Sequence, residues 1–229
     1  MKAMLLAAGR GERMRPLTDT RPKPLLEVGG KPLIVRHLER LRRAGFRSVV
    51  INHAWLGHMI ERTLGDGAGF GLRIDYSAEG TALDTAGGIA HAARLLGDAP
   101  FLVVNADIYC DFDFGRARTI AAQMAITGAS AWLVMTPNPP HNPRGDFALD
   151  GGRVGNVGTD RLTYSGIGVY LPGLFAGISA GVKAGLAPLL REAMAHGAVA
   201  GERFDGRWED VGTPQRLAAL DRELRAQPG

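Results

Sequence analysis

The chain has 229 residues, 45% of them hydrophobic, which suits one globular domain with a sizeable core. Its formal charge of +4 indicates a mildly basic surface rather than a nucleic-acid site, because the arginines are scattered and only one dense cluster occurs, near the amino terminus. The single cysteine, Cys110, excludes an intramolecular disulfide and a Cys-rich zinc site. We expect a cytoplasmic protein without nucleic-acid or membrane partners, and the composition leaves its oligomeric state open.

Apolar segments of strand length alternate with helical patterns through the first half of the chain. Strands are predicted at residues 2–7, 48–53, 72–77 and 100–105, and helices at residues 32–44, 55–64, 84–96 and 114–127. Such alternation is typical of an α/β protein, in which helices cover both faces of a parallel sheet.

The chain changes character after a further predicted strand at residues 129–135. A proline-rich stretch and glycine-rich short strands around residues 146–149 follow it, and they predict an inserted lobe that closes over a ligand. A strand at residues 164–171 and helices at 186–196 and 214–224 complete the predicted elements. The segment 208–211 lies between the last two helices.

The loop after the first predicted strand has the composition of a polyphosphate site. Gly9 and Gly11 leave backbone N–H groups free to face phosphate oxygens, and Arg13, Arg15 and Lys23 supply positive charge. Two prolines flank the lysine and restrict its backbone. The glycine spacing fits neither a Walker A loop nor a dinucleotide-binding fingerprint.

A longer motif carries a family resemblance. Sugar-1-phosphate nucleotidylyltransferases contain G-x-G-x-R-(M/L)-x-P-L-T followed by P-K-P, and the chain is similar to this motif at Gly9, Gly11, Arg13, Met14, Pro16, Leu17, Thr18, Pro22, Lys23 and Pro24. The resemblance implies a Rossmann-like nucleotide-diphospho-sugar transferase fold, with a mostly parallel mixed sheet flanked by helices. It also implies one domain over residues 1–229, divided into a nucleotide-binding part at about 1–135, a small sugar-binding lobe at about 136–212 and a C-terminal helix at 213–225.

The resemblance also implies nucleotidyl transfer from a nucleoside triphosphate to a sugar 1-phosphate. Lys23 would contact the α-phosphate and the incoming sugar phosphate, and Arg13 would hold the β- and γ-phosphates, so both are catalytic candidates. The remaining nucleotide-binding candidates lie in the loop and in a glycine-rich segment that resembles the family's E-x-x-x-x-(E/D)-T-(A/G)-G-G; they are Gly9, Gly11, Glu12, Gly87 and Gly88.

Two aspartates are candidate ligands for Mg²⁺. Asp107 follows the predicted strand 100–105, at the sheet edge where ligands of open α/β proteins bind. Asp210 lies in W-E-D-V-G-T, which resembles the family's W-x-D-(V/I)-G-T. Either aspartate alone could instead cap a helix or stabilise a turn. Together with the phosphate loop, they favour a magnesium site.

The sugar-binding candidates come from three segments. Asn105 ends the predicted strand before Asp107, and Asp146 lies in a segment that resembles the family's G-D-(F/Y) strand, with Asn156 in the next loop. Residues 164–167 match the family's (F/Y)-(S/T)-G-I strand, which implies roles for Ser165 and Gly166. The histidines lack the spacing of a metal site or a triad, and we predict surface or packing roles for His53, His58 and His141.

Within the family, residues 52–57 and 84–88 and the short chain resemble the uridylyltransferases that use UTP and N-acetylmuramic acid α-1-phosphate in peptidoglycan recycling. The chain is similar, with less force, to mannose-1-phosphate guanylyltransferases. Another sugar-1-phosphate nucleotidylyltransferase and a non-catalytic nucleotide-sugar-binding module also stay open. Asp84 replaces a commoner glutamate, which shortens the side chain by one methylene. Gly185 replaces a lysine, with Lys183 two residues earlier, and this change leaves the choice of sugar open.

Overall fold

The structure, a computed structural model, describes residues 1–226. Its strands, in chain order, are β1 (Ala3–Leu6), β2 (Glu27–Val28), β3 (Lys31–Pro32), β4 (Ser48–His53), β5 (Arg73–Ala78), β6 (Phe101–Asn105), β7 (Ile108–Cys110), β8 (Ala131–Thr136), β9 (Phe147–Asp150), β10 (Arg153–Gly155), β11 (Arg161–Tyr170), β12 (Val199–Arg203) and β13 (Trp208–Asp210). Its helices are α1 (Leu17–Thr20), α2 (Leu33–Arg43), α3 (Gly57–Leu64), α4 (Asp84–His91), α5 (Ala93–Leu96), α6 (Ala117–Thr127), α7 (Leu186–Ala195) and α8 (Pro214–Ala226).

Nine of the described strands form one sheet in the order β5-β4-β1-β6-β11-β8-β12-β10-β9. Strands β10 and β11 run opposite to the others, so the sheet is mixed and mostly parallel. Two short ribbons, β13 with β7 and β2 with β3, lie outside this sheet. The predicted α/β fold with a mostly parallel mixed sheet is confirmed.

The sheet is covered on both faces. Strands β1, β4 and β6 are almost entirely buried and have apolar central residues, as expected for parallel strands between two layers of helices. Leu5 packs in the core that contains Leu38 of α2, whereas its neighbour Met4 packs in the core that contains Ile89 of α4. Successive residues of a strand point to opposite faces, so each central strand supports both cores.

The C-terminal helix α8 packs on the β2–β3 ribbon. The backbone N–H of Gly29 donates to Asp221 Oδ1 at 2.8 Å. A small third core lies beneath the helix and contains Val28, Leu33, Val211 and Leu220. Because Val211 follows β13 directly, this packing fixes the position of Asp210. No helix within residues 1–226 is long and apolar enough to cross a membrane.

Most predicted elements are confirmed, and four differ in detail. The helix predicted at residues 84–96 is divided into α4 and α5 at Ala92. The helix predicted at 55–64 begins at Gly57, because Leu56 has a left-handed φ of +51°. Strand β11 begins at Arg161, before the predicted residue 164. Strand β12 is absent from the prediction, since its glycine and two charged residues interrupt the apolar pattern.

Candidate active site

A cavity of about 440 Å³ opens at the carboxyl ends of the parallel strands. Leu6 at the end of β1 lies beside Asn52 of β4 on one side and Asn105 of β6 on the other. The lining comes from residues 6–9, 23–24 and 185–188, with Asn52, Ala82, Asp84, Thr85, Asn105 and Asp107. Ligands of open α/β sheets bind at this edge, so the cavity is the candidate active site.

The two glycines of the loop after β1 differ in their surroundings. A Cβ added at Gly9 would meet no described atom within 4 Å, so a ligand can approach the backbone there. Gly11 has a left-handed φ of +67° and precedes a short 3-10 helix, Glu12–Met14. A Cβ at Gly11 would lie 3.0 Å from Thr18 Cγ2 and 3.3 Å from Lys23 Cβ. The loop therefore wraps closely around Lys23 at Gly11, whose conformation and close neighbours require glycine, whereas the space beside Gly9 is open to a ligand.

The charged side chains of this loop have different surroundings. Arg10 and Arg15 pair with the same carboxylate, that of Asp19, at 3.0 Å and 3.2 Å. Glu12 and Arg13 are exposed. Because Asp19 holds the other two arginines, Arg13 is the arginine of this loop that we expect to reach a phosphate. The roles of Glu12 and Arg13 stay predictions.

Lys23 is a buried cation in the wall of the cavity. Its side chain is 9% exposed, and its Nζ donates to Asp107 Oδ2 at 2.5 Å. The lysine begins a 3-10 helix, Lys23–Leu25, whose neighbouring prolines fix the backbone. Burial of a lysine is costly unless the charge is paired, and Asp107 supplies the compensating charge. The fold thus brings together two predicted site residues that are distant in sequence.

Asp210 lies beside Asp107 through the β7–β13 ribbon. The register places Asp210 opposite Ile108, the residue that follows Asp107. Asp210 Oδ2 accepts a hydrogen bond from Arg216 Nη1 at 3.0 Å and lies 3.2 Å from His141 Nε2. Arg216 belongs to α8 and His141 to the loop before β9, so these two segments meet at the Asp210 carboxylate.

Asp107 and Asp210 fit a magnesium ion that is held jointly with phosphate oxygens. Mg²⁺ is commonly bound by one or two carboxylates, with water and substrate phosphates completing its octahedron. Asp107 directly precedes the ribbon and Asp210 ends β13, so the two carboxylates would supply the protein's share of such a site. Among the described residues, no group of three or more His, Cys, Asp or Glu side chains could hold a metal by itself. The metal-binding role of this pair stays a prediction.

Gly87 and Gly88 of α4 pack against protein atoms. A Cβ at Gly87 would lie 2.4 Å from Val182 O, and a Cβ at Gly88 would lie 2.5 Å from Glu79 Oε1. That Glu79 oxygen accepts a hydrogen bond from Asn52 Nδ2 at 2.6 Å. The two glycines therefore allow α4 to pack closely on its neighbours, and direct contact with a nucleotide stays a prediction. The residues near the start of α4 that line the cavity are Ala82, Asp84 and Thr85.

Asn105 lines the cavity on the other side of β1 and rests on an irregularity in β11. The register of β11 against β8 shifts between Tyr164 and Ile167. Gly166, with a φ of +79°, lies so close that a Cβ would be 2.6 Å from Asn105 Nδ2. Ser165 is 1% exposed, and its Oγ donates to a β8 carbonyl at 2.7 Å. Gly166 thus lies against Asn105, whereas Ser165 anchors β11 to β8, and the contact of either residue with a sugar stays a prediction.

Asp146 and Asn156 lie outside the lining of this cavity. The Asp146 carboxylate accepts hydrogen bonds from Tyr164 N at 2.8 Å and from Asn142 Nδ2 at 3.1 Å, which ties the loop before β9 to β11. Asn156 is exposed and donates to Arg191 O at 3.0 Å. Both side chains have local structural partners, and their contact with a sugar stays a prediction.

Several buried titratable groups around the site are held in their neutral forms. Burial lowers the pKa of His37 to about 4, and its Nε2 donates to Ile108 O at 2.9 Å. Burial raises the pKa of the Cys110 thiol to about 11, so this cysteine packs as a neutral group. Burial also raises the pKa of Tyr164, whose hydroxyl contacts that of Tyr170 at 2.8 Å. These groups support the site through packing and hydrogen bonds.

Some contacts of the site are absent from the sequence prediction. His141 was expected on the surface or in packing, yet it approaches Asp210, and Arg216 was not singled out. No motif spacing in the sequence marks His141 or Arg216, because their contact with Asp210 joins three segments that are distant in sequence. Asn52 accepts a hydrogen bond from Ala7 N at 2.9 Å and so fixes the start of the phosphate loop. Its place at the end of a predicted strand was the available signal.

The fold and the position of the cavity define a class: open α/β proteins that bind ligands at the carboxyl edge of parallel strands. A family described as nucleotidyl transferase matches residues 2–154. The chain is 56% identical over 222 residues to the N-acetylmuramate alpha-1-phosphate uridylyltransferase of Neisseria meningitidis serogroup B, and 95% of each chain is covered. It is 34% identical over 238 residues to the Caulobacter vibrioides protein of that name, with 97% of this chain and 96% of the relative covered.

A more distant relative is also similar to this chain in sequence, and two solved structures are similar to it in fold. The chain is 30% identical to the mannose-1-phosphate guanylyltransferase catalytic subunit beta of Danio rerio, over 94% of this chain and 62% of that protein. The crystal structure of HddC from Yersinia pseudotuberculosis with GMP-PN has a TM-score of 0.79 at 18% identity and covers 97% of this chain and 98% of HddC. A Bacillus anthracis protein in complex with sucrose has a TM-score of 0.85 at 19% identity, with 100% and 97% coverage. This chain belongs to the nucleotidyl transferase family, as residues 9–24 predict.

Proposed function

We propose that the protein transfers UMP from UTP to N-acetylmuramic acid α-1-phosphate, giving UDP-N-acetylmuramic acid and pyrophosphate. The observation that carries this proposal is the 56% identity over 95% of both chains to the Neisseria meningitidis uridylyltransferase. In the reaction, an oxygen of the sugar phosphate attacks the α-phosphorus of UTP. The bond from that phosphorus to the bridging oxygen breaks, and pyrophosphate leaves with the electron pair. A cytoplasmic role in peptidoglycan recycling belongs to the same proposal.

Charged groups of the cavity wall and of the loop after β1 would supply the electrostatic stabilisation that this reaction needs. Most of the catalysis of phosphoryl and nucleotidyl transfer comes from positioning and from neutralising charge. Lys23, buried beside Asp107, would contact the α-phosphate and the sugar phosphate, and Arg13 would hold the β- and γ-phosphates. The backbone at Gly9 has room for phosphate oxygens, and Asn105, which lines the cavity, would contact the sugar.

We propose Mg²⁺ as the cation, with Asp107 and Asp210 as its protein ligands. When bound, it would neutralise charge on the phosphates and polarise the α-phosphate. Asp210 is oriented by Arg216 and His141, and the β7–β13 ribbon sets its distance from Asp107. The ribbon and these two contacts therefore hold the Asp210 carboxylate in a defined position near Asp107.

Guanylyl transfer to mannose 1-phosphate is the second candidate. It is favoured by the 30% identity to the Danio rerio mannose-1-phosphate guanylyltransferase subunit over 94% of this chain. The charged groups described above would serve either reaction, because both join a sugar phosphate to the α-phosphorus of a nucleotide. The two candidates differ only in the base and the sugar.

The direct test is product formation from UTP and N-acetylmuramic acid α-1-phosphate, followed by mass spectrometry and by pyrophosphate release. We expect UDP-N-acetylmuramic acid and pyrophosphate in equal amounts, and we expect a chelator of divalent cations to stop the reaction. Asp107→Asn is the matched control, because it keeps the shape of the side chain and removes its charge. Product formation that continues after chelation would contradict the proposed role of magnesium.

A further inference from the structure

The cavity extends to both sides of β1, and the two sides carry different groups. Asn105, the last residue of β6, and Asp107 lie on one side, whereas Asn52 of β4 lies on the other, close to Gly88 of α4. Lys23 pairs with Asp107 and so belongs to the β6 side. The proposed function assigns Lys23 and Asp107 to the phosphates and Asn105 to the sugar, and all three residues lie on the β6 side. The nucleobase would then take the other side of the cavity, that of β4 and α4.

The polar groups on this side are largely used by the protein. Asn52 Oδ1 accepts from Ala7 N at 2.9 Å, and its Nδ2 donates to Glu79 Oε1 at 2.6 Å. Glu79 Oε2 accepts from Leu83 N at 2.8 Å. Both groups of the Asn52 amide are therefore engaged in holding the loop and the strand ends together. A ligand has to be recognised by other atoms of the wall.

Asp84 presents a carboxylate at the same wall. It lines the cavity, its side chain is 52% exposed, and Lys183 Nζ lies 3.8 Å from Oδ2, beyond hydrogen-bonding distance. Its φ of +57° is left-handed, a conformation that is unfavourable for most residues with a Cβ and better tolerated by aspartate and asparagine. The cavity therefore has an available acceptor on the side that the base would occupy.

The backbone around Asp84 is held independently of its side chain. Ala184 N donates to Leu83 O at 3.0 Å, and Gly87 N donates to Ala184 O at 3.0 Å. The segment 182–184 also fills the space where a Gly87 Cβ would be. Substitution of the Asp84 side chain should therefore leave the wall in place.

We propose that Asp84 selects the nucleobase by accepting a hydrogen bond from the ring N–H of uracil; this inference rests on the proposed function. Uracil carries that N–H at N3, whereas cytosine has an unprotonated, electron-rich nitrogen at the same position. A carboxylate stabilises the first and repels the second. Because Asp84 is half exposed, we expect UMP to bind about 10-fold to 100-fold more tightly than CMP. A fully buried polar contact would give a larger ratio of affinities.

The test is calorimetric binding of UMP and CMP to the wild type and to two variants. Asp84→Asn retains a residue that tolerates the left-handed backbone, and Asp84→Gly relieves the strain while removing the side chain. We expect the ratio of UMP to CMP affinity to fall at least tenfold in both variants, with Tm unchanged or raised. Lys183→Ala is the control for surface charge and should keep the ratio within about twofold, because that ion pair is exposed.

An unchanged ratio in both Asp84 variants would overturn the inference, and so would a wild type that binds CMP as tightly as UMP. A fall in Lys183→Ala as large as in Asp84→Asn would also overturn it, because the effect would then come from general charge. Failure of the proposed function is a separate result. It would be seen as no pyrophosphate release by the wild type from UTP and N-acetylmuramic acid α-1-phosphate, while the binding ratios still report on Asp84.

Discussion

Replacement of His37 by glutamine should reduce the dependence of stability on pH between 7.5 and 5. His37 is 2% exposed, and its Nε2 donates to Ile108 O at 2.9 Å, one residue from Asp107. Its Nδ1 is buried and has no hydrogen-bond partner among the described residues. A proton on Nδ1 would therefore place an unsolvated charge in the core, and burial lowers the pKa of His37 to about 4.

The sign and size of the effect follow from linkage. The unfolded chain, with a histidine pKa near 6.5, binds the proton before the folded chain, so stability falls as the pH decreases from 6.5 towards 4. Between pH 7.5 and pH 5 this one residue should cost about 2 kcal/mol of unfolding free energy. The His37→Gln variant keeps a donor for Ile108 O and has no group that titrates in this range.

The assay is urea unfolding of both proteins at several pH values between 5 and 7.5. The loss in unfolding free energy at low pH should be smaller in His37→Gln by about 2 kcal/mol, with similar m-values. Other titrating groups contribute equally to both proteins and cancel in the difference. Parallel curves for the two proteins would refute the reasoning, because His37 would then have the same pKa folded and unfolded.

Three further predictions concern the site. Gly9→Ala should keep the Tm and weaken UTP binding about tenfold or more, since only a ligand would meet the new Cβ. Gly87→Ala should instead lower the unfolding free energy by about 1–3 kcal/mol, because its Cβ would meet Val182 O. Thermal melts and calorimetry check both variants, and a lowered Tm for Gly9→Ala would count against an open backbone at Gly9. Asp107→Asn should abolish pyrophosphate release while circular dichroism stays native, and normal turnover would remove Asp107 from the metal site. Lys23→Ala should lower kcat about 100-fold or more as well as nucleotide affinity, and a change in KM alone would reduce Lys23 to a binding residue.

The central part of the fold could be predicted from sequence because it depends on local patterns. The buried strands β1, β4 and β6 contain continuous apolar segments at residues 3–6, 49–51 and 101–104, and an asparagine, Asn52 or Asn105, follows the apolar segment in β4 and β6. Gly9, Gly11 and Lys23 lie in one short segment of the chain, so the local sequence motif is enough to predict this loop. These features require no knowledge of distant contacts.

The parts that escaped prediction depend on long-range pairing. Asp107 and Asp210 were both predicted as metal ligands, but the β7–β13 ribbon that makes them neighbours was not predicted, because no local pattern indicates the pairing of three-residue strands. His141 and Arg216 reach Asp210 from two further segments. The left-handed backbone of Asp84 is likewise invisible in a sequence, where aspartate at a helix start is usually interpreted as a cap.

The measurement that tests the proposed function most directly is pyrophosphate release across a grid of substrates with Mg²⁺. UTP, GTP, CTP and dTTP would each be combined with the 1-phosphates of N-acetylmuramic acid, N-acetylglucosamine, glucose and mannose. We predict that UTP with N-acetylmuramic acid 1-phosphate gives the highest kcat/KM by a large factor. A higher kcat/KM for GTP with mannose 1-phosphate would contradict the proposed substrates, and no release from any combination would instead support a non-catalytic nucleotide-sugar-binding module.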